Sequence, residues 1–434
     1  MRRFSALLLG CCALALRFSA NAAAGESRVI TVDEAVALAL GQNAALQAAR
    51  ARLQGGEAAA SSTGRRLAPA IHLSDEFQHY NKAFVVPMGG GQEFPVRKQD
   101  TNLFTVAADQ PLLGLLRLSQ DYSGQEKSAE AGAAQVQGAE LSLRQAVETM
   151  YLRVFEAKAL EETALASERE LKDRLEVARA QLASGVLTEA DVLRVQVAAA
   201  NARQQAIQAH AQGLVARASL LALMGLPADD TGVIFVEPSS LLASPEQAPA
   251  SGAAQDQALS RRPEILQTRL TLEAGEHQRR ARLYALLPDI DLEGAYLRSY
   301  GQIILPTNST FIGLNAKWAI WEWGASYAAY RASQAQARAA EFDLENQKQQ
   351  IRAEVTSTMA QLDAAASAIS VAEQAITSAQ EAYRVTDAQL QAGTATTTDL
   401  LEAQSALTQA RLNYLRAQYE LAISRVNLRR ALGR

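Results

Sequence analysis

Asp399 and Glu402 stand three residues apart in the stretch QAGTATTTDLLEAQ, a spacing that puts both carboxylates on one face of a helix. Asp191 holds the position of Asp399 in an earlier, similar stretch, QLASGVLTEADVLRVQ. Grouped carboxylates repel one another or hold cations, whereas a single one is a solvated charge or a first-turn residue favoured by the helix dipole. Other reactive chemistry is scarce. His72, His79, His210 and His277 are dispersed and lack ligand spacing, so no metal site is expected. The glycines after Met88 are not followed by Gly-Lys-Ser/Thr, and neither a G-x-S-x-G nor an H-E-x-x-H pattern occurs. Asp289 and Asp291 alternate along the polar face of a predicted strand, where a water-filled lumen explains them without catalysis. No enzymatic activity and no cofactor are expected.

The two similar stretches are the best-matched part of a longer repeat. Gln181, Leu182, Gly185, Thr188, Asp191, Leu193 and Gln196 correspond to Gln389, Leu390, Gly393, Thr396, Asp399, Leu401 and Gln404, at a constant offset (393 − 185 = 208). Two unrelated Ala-rich helices would share Ala and Leu, not a Gly, a Thr and an Asp in register. Upstream the offset becomes 219, aligning Pro69, Ile71 and Leu73 with Pro288, Ile290 and Leu292 (288 − 69 = 219). The first copy therefore carries an insertion of 219 − 208 = 11 residues between Leu73 and Val106.

Around that insertion the apolar period is two. Ile71, Leu73 and Phe77, then Phe104, Val106 and Ala108, alternate with polar neighbours. Ile290, Leu292 and Tyr296, then Ile312, Leu314, Ala316, Trp318 and Ile320, do the same. Each copy thus predicts a β-hairpin, over about residues 70–112 and 289–321, with strands near the ten residues a tilted transmembrane strand needs. The segment Tyr80 to Thr101 is expected as a long outer loop. Everything else predicts helix. Leu116 to Ser184 and Ala325 to Gln391 form long proline-free runs that reverse at Gly185 and Gly393, with Thr188 and Thr396 as N-caps of the returning helices.

The termini and composition set the compartment. Arg2, Arg3, a short apolar run and SANAAAGE read as a secretory signal peptide over residues 1–22, which contains both cysteines, Cys11 and Cys12. The domains are then a first repeat over 23–225, a Pro/Ser-rich linker with one short strand over 226–254, and a second repeat over 255–434. Aromatics make up only 6% of the chain, which suits close-packed slender helices rather than a wide core. A net charge of −4 without a basic block argues against nucleic-acid binding. No segment after residue 25 is apolar for long enough to cross a bilayer as a helix, so membrane entry requires a β-barrel.

In the order and duplication of these features the mature chain resembles the TolC-like outer membrane factor (outer membrane efflux protein) family. The resemblance runs from TVDEAVALALGQNAAL through DQPLL and RRPEI to RLNYLRAQYELAISRVNLRRALG. It implies an α+β membrane protein: a homotrimer giving four strands per chain to a twelve-stranded transmembrane β-barrel, continued by a long periplasmic α-helical barrel. It implies passage of substrate out of the periplasm, with outer-membrane lipid, a periplasmic adaptor (membrane fusion) protein and an inner-membrane efflux pump or ABC exporter as partners. It also implies that Asp399 and Glu402, with Asp191, line the pore constriction, where like charges would raise some carboxylate pKa values. Gly185, Val186, Leu187, Thr188, Gly393, Thr394 and Thr396 become the adaptor-docking tip. Relatives with an Arg two residues after the second tip Gly use it to tether closed coils; here that residue is Ala395. Trp318, Trp321 and Trp323, all the tryptophans of the chain, sit where strand meets helix and suit a membrane-interface aromatic belt. The alternative reading is a secreted structural coiled-coil protein without a barrel.

Overall fold

Two helices of unusual length dominate the chain because nothing in their sequences stops them. The computed structural model describes residues 28–90, 92–242 and 250–434; the expected signal segment and both cysteines lie outside the described residues. In chain order the elements are β1 (Arg28–Ile30), α1 (Val32–Gln42), α2 (Ala44–Arg65), β2 (Ala70–His79), β3 (Phe84–Met88), β4 (Gln92–Pro111) and α3 (Gly114–Ala183). There follow α4 (Glu189–Leu223), β5 (Val233–Phe235), α5 (Ser239–Leu242), α6 (Ser251–Arg261), α7 (Pro263–Tyr284), β6 (Asp289–Gln302), β7 (Asn308–Lys317), α8 (Ala325–Gln391) and α9 (Thr397–Ala431). The 70 residues of α3 span roughly 105 Å at about 1.5 Å each. On α9, the buried Leu400, Leu407 and Leu428 are spaced by multiples of seven residues, the period of a left-handed coiled coil.

The helices share a waist. Ile30, Val147, Tyr151, Leu152, Leu220, Met224, Ile423 and Val426 form the largest cluster there, with the short parallel pair β1–β5 packed on it. Tyr151 is fully buried, and its hydroxyl donates to the carbonyls of Ile30 and Val236 at 2.9 and 2.6 Å. A second cluster joins α6, α7, α8 and α9 through Ala258, Ile265, Ile351, Val355 and Leu428. Beside it, Arg262 is all but buried and meets both carboxylate oxygens of Glu264, at 3.0 and 3.2 Å, and Glu354 at 2.6 Å. Arg430 closes the ring, reaching Glu354 at 2.7 Å and Glu264 at 2.9 Å.

The strands form one antiparallel sheet in the order β2-β4-β6-β7, with β3 added to the far end of β4. Two expectations change here. Tyr80 to Thr101 is not a coil: Phe84–Met88 pairs back on Gln92–Arg97, extending the first hairpin into a two-stranded arm. The inserted residues Val85, Val86 and Phe94 are β-formers and satisfy their backbone groups by pairing rather than in water. The second hairpin ends at Lys317, so Trp318 and Ile320 lie beyond the last strand although they continue its alternation. β6 supplies no partner past Asp289, which pairs with Lys317, so the ladder stops there. The stretch read as a linker, 226–254, holds β5, α5 and the start of α6.

Side chains alternate across this sheet, and register partners share a face. One face carries Ile71, Leu73, Val106, Ala108, Leu292, Tyr296, Ile312 and Leu314; the other carries His72, Ser74, Asp109, Asp291, Glu293 and Asn315. The apolar face is uncovered in the single chain, with Ile71 77% and Ile312 84% exposed. No described helix is long and apolar enough to cross a membrane.

Candidate functional site

Both long helices end in the same backbone device. Gly185 (φ 76°) and Gly393 (φ 75°) adopt the left-handed conformation that side-chain-bearing residues avoid. At the first tip Val186 N donates to Gln181 O at 2.8 Å and Gly185 N to Leu182 O at 3.0 Å. At the second, Thr394 N donates to Gln389 O at 2.9 Å and Gly393 N to Leu390 O at 3.0 Å, so both turns are Schellman motifs. Thr188 and Thr396 then cap the returning helices, each within a reciprocal capping box whose third residue is an aspartate. Leu187 and Leu401 pack on one cluster with Ala178, Val192 and Val195, which sets the two tips side by side. Val186 points into solvent, 70% exposed.

The capping boxes redefine the two aspartates. Asp399 accepts from the Thr396 backbone N–H at 2.8 Å and from its hydroxyl at 2.7 Å. These hydrogen bonds, backbone first and hydroxyl second, hold the Asp399 carboxyl below its ordinary value. Asp191 accepts from the Thr188 hydroxyl at 2.6 Å and the backbone N–H at 3.2 Å, and is held low for the same reason. Within the chain the shift is therefore downward, opposite to the rise expected from clustered charge. The tips also differ in charge. Asp191 is paired with Arg194 at 3.1 Å, whereas the position matching Arg194 (194 + 208 = 402) is Glu402, exposed and acidic. Asp191 is thus locally compensated, whereas Asp399 and Glu402 have no cation partner among the described residues.

A tether above the tips gave no sign in the sequence. Arg174 on α3 donates to the Tyr383 hydroxyl at 2.7 Å and to Asp387 at 2.9 Å, both on α8. Tyr383 in turn donates to Glu170 at 2.9 Å. Helix α3 packs mainly on α4, α7, α2 and α9, so these polar bonds bridge two helices that otherwise touch little. The members are offset by 213 (387 − 174 = 213), outside the repeat register, and no local spacing betrays them. If the coils separate to widen the tip, Arg174→Gln should raise resting conductance in planar bilayers by roughly fivefold, the equivalent of ~1 kcal/mol for a half-exposed pair. Unchanged conductance would mean that the bridge holds nothing closed.

At the other end, Trp318, Trp321 and Trp323 occupy the segment between β7 and α8, and all three are well exposed. Trp321 and Trp323 meet edge to face at 5.7 Å, and the Trp318 indole donates to Leu286 O at 3.3 Å. Among the described residues no group of three or more His, Cys, Asp or Glu side chains is placed to hold a metal ion.

This arrangement of paired capped coils below a membrane-length sheet has known counterparts. The model of the outer membrane efflux protein family matches residues 35–226 and 254–434, most of the chain. The chain belongs to that family. Its members are channels rather than enzymes, and the family places the protein in the outer membrane with a large periplasmic portion, against a secreted coiled coil without a barrel. The outer membrane efflux protein BepC of Brucella suis is 26% identical over 299 residues, 68% of this chain; the matched stretch spans 63% of that relative's own length. Among solved structures of the family fold, the outer-membrane channel OprN has a TM-score of 0.79 at 21% identity, covering 93% of this chain and 89% of that one. VceC of Vibrio cholerae has a TM-score of 0.80 at 18% identity, covering 93% and 96%.

Proposed function

We propose that the protein is a passive efflux duct formed by three identical chains. The observation that carries this reading is the sheet: four membrane-length strands, one apolar uncovered face, and unpaired edges at β2 and β7. An open edge in hydrocarbon leaves backbone groups unbonded at several kcal/mol each, so β7 of one chain must pair with β2 of the next. Three copies give the twelve-stranded barrel and place the polar face, with Asp109, Asp291 and Glu293, around a wet lumen. The internal repeat gives each chain two coil tips, and the trimer six.

In this reading substrate enters from the periplasm through the tips and leaves through the barrel. The driving force comes from an inner-membrane pump or ABC exporter, joined by a periplasmic adaptor that docks on the tips at Val186, Leu187, Thr188, Thr394 and Thr396. Asp399 and Glu402 form the acidic constriction; Asp191, neutralised by Arg194, contributes less to it. The three tryptophans anchor the base of the barrel among lipid headgroups.

The deciding experiment is native mass measurement of the protein extracted in mild detergent. A trimer with no folded monomer is expected at every concentration. A folded monomer that conducts in bilayers would end the shared-barrel reading.

A further inference from the structure

Two hydrogen bonds fix which helix ends lie beneath the apolar face of the sheet. Gln110 shares that face with Val106 and Ala108, and its amide donates to Leu67 O, just past α2, at 3.2 Å. Trp318, one residue past β7, continues the sequence alternation of Ile312, Leu314 and Ala316 and donates to Leu286 O, just past α7. The C-terminal ends of α2 and α7 therefore sit under the membrane-facing side. Gly114, which opens α3, lies instead beside Asp289, on the polar side.

Both of those ends are basic. The first carries Arg65 and Arg66, the second Arg279, Arg280 and Arg282. No acidic residue occurs between Glu57 and Asp75 or between Glu276 and Asp289. Arg280 reaches back to Glu276 at 3.5 Å, while no carboxylate lies within 4.0 Å of the other four among the described residues. The helix dipole favours cations at a C-terminus. It does not require them, since α3, α4 and α8 end without one, and the cations ending α9 are engaged by Glu148, Glu264 and Glu354. Exposed guanidinium groups without a carboxylate partner, those of Arg65, Arg66 and Arg282, thus lie at these helix ends, one of which Trp318 also reaches.

We propose that Arg65, Arg66, Arg279 and Arg282, with the tryptophans above them, form a collar that binds anionic phospholipid headgroups of the inner, periplasmic leaflet. The proposal rests on the reading of the sheet as membrane-spanning. Guanidinium pairs with phosphate through two parallel hydrogen bonds, and indole rings settle at headgroup depth. The occupant is lipid rather than an acidic protein because the patch continues the apolar face without a break. Repeated around a trimer, the collar fixes how deep the duct sits.

Test protein is reconstituted into vesicles of equal phosphatidylglycerol and phosphatidylcholine, re-extracted, and its retained lipids are counted by native mass spectrometry. Phosphatidylglycerol should be enriched, and each guanidinium removed should lower the preference about fivefold, from ~1 kcal/mol per juxtamembrane cation. R65Q/R66Q/R282Q should abolish most of the preference, R65K/R66K/R282K should keep it, and R384Q near the tips should leave it unchanged. Equal retention of both lipids by inserted wild-type protein overturns the collar, as does a preference indifferent to the Gln variants. Failure of wild-type protein to insert at all would instead overturn the membrane reading beneath it.

Discussion

Replacing Arg262 with alanine is expected to destabilise the protein by about 3 kcal/mol, because it strands two carboxylates at the edge of a packed cluster. The Arg262 side chain is 3% exposed. Glu264 and Glu354 are 23% and 40% exposed and retain Arg430, which keeps the cost at the low end of the range for breaking a buried pair. The effect should appear as a lower guanidinium midpoint in detergent micelles, compared at equal protein concentration because the assembly couples stability to mass action. An unchanged midpoint would mean that solvent already screens the node.

The same node sets an acid limit. Burial alone would raise the Glu264 carboxyl, but the hydrogen bonds and charge of Arg262, followed by the charge of Arg430, hold it below its ordinary 4.5. A carboxylate depressed on folding contributes stability that is complete above its unfolded pKa and is lost as pH falls through the folded one. Stability from Glu264 should therefore drop below about pH 4.5. Glu148 works in the opposite direction: burial raises it against the pull of Arg429 and Arg144, so its protonation on acidification relieves a cost. The Arg262→Ala variant should show a shallower acid decline than wild type, since its Glu264 has lost its main hydrogen-bonding partner.

Asp399→Asn with Glu402→Gln is expected to raise the divalent-cation concentration for half-block of the channel by about tenfold, the equivalent of ~1.4 kcal/mol. Asn retains an oxygen that can accept from Thr396, so the capping box survives and charge alone is removed. Alanine at 399 would instead break the cap and confound helix fraying with loss of charge. Asp191→Asn should have a smaller effect, because Arg194 already compensates that carboxylate. Conductance must be compared at one salt concentration, as screening weakens exposed charges. Equal block in wild type and double variant would place the cation-binding constriction elsewhere.

Local chemistry made much of this legible in the sequence. Gly185 and Gly393 mark their turns because a left-handed residue without a side chain costs least there, and Thr188 and Thr396 mark the caps three residues before an aspartate. Period-two alternation from Ile71 to Phe77 and from Ile290 to Tyr296 likewise lies within strands that exist. Those signals depend on neighbours a few residues apart, so the sequence carries them whole. Tertiary structure decided what depends on distant partners. The pairing of β4 with β6 joins the two hairpins into one sheet, and the arm of β3 on β4 replaces an expected loop. The Arg262 ring draws on α7, α8 and α9, and the Arg174 tether on α3 and α8, at separations where no period links the members. The charge difference between the tips, by contrast, is local: Arg194 lies three residues after Asp191, and its repeat counterpart after Asp399 is Glu402.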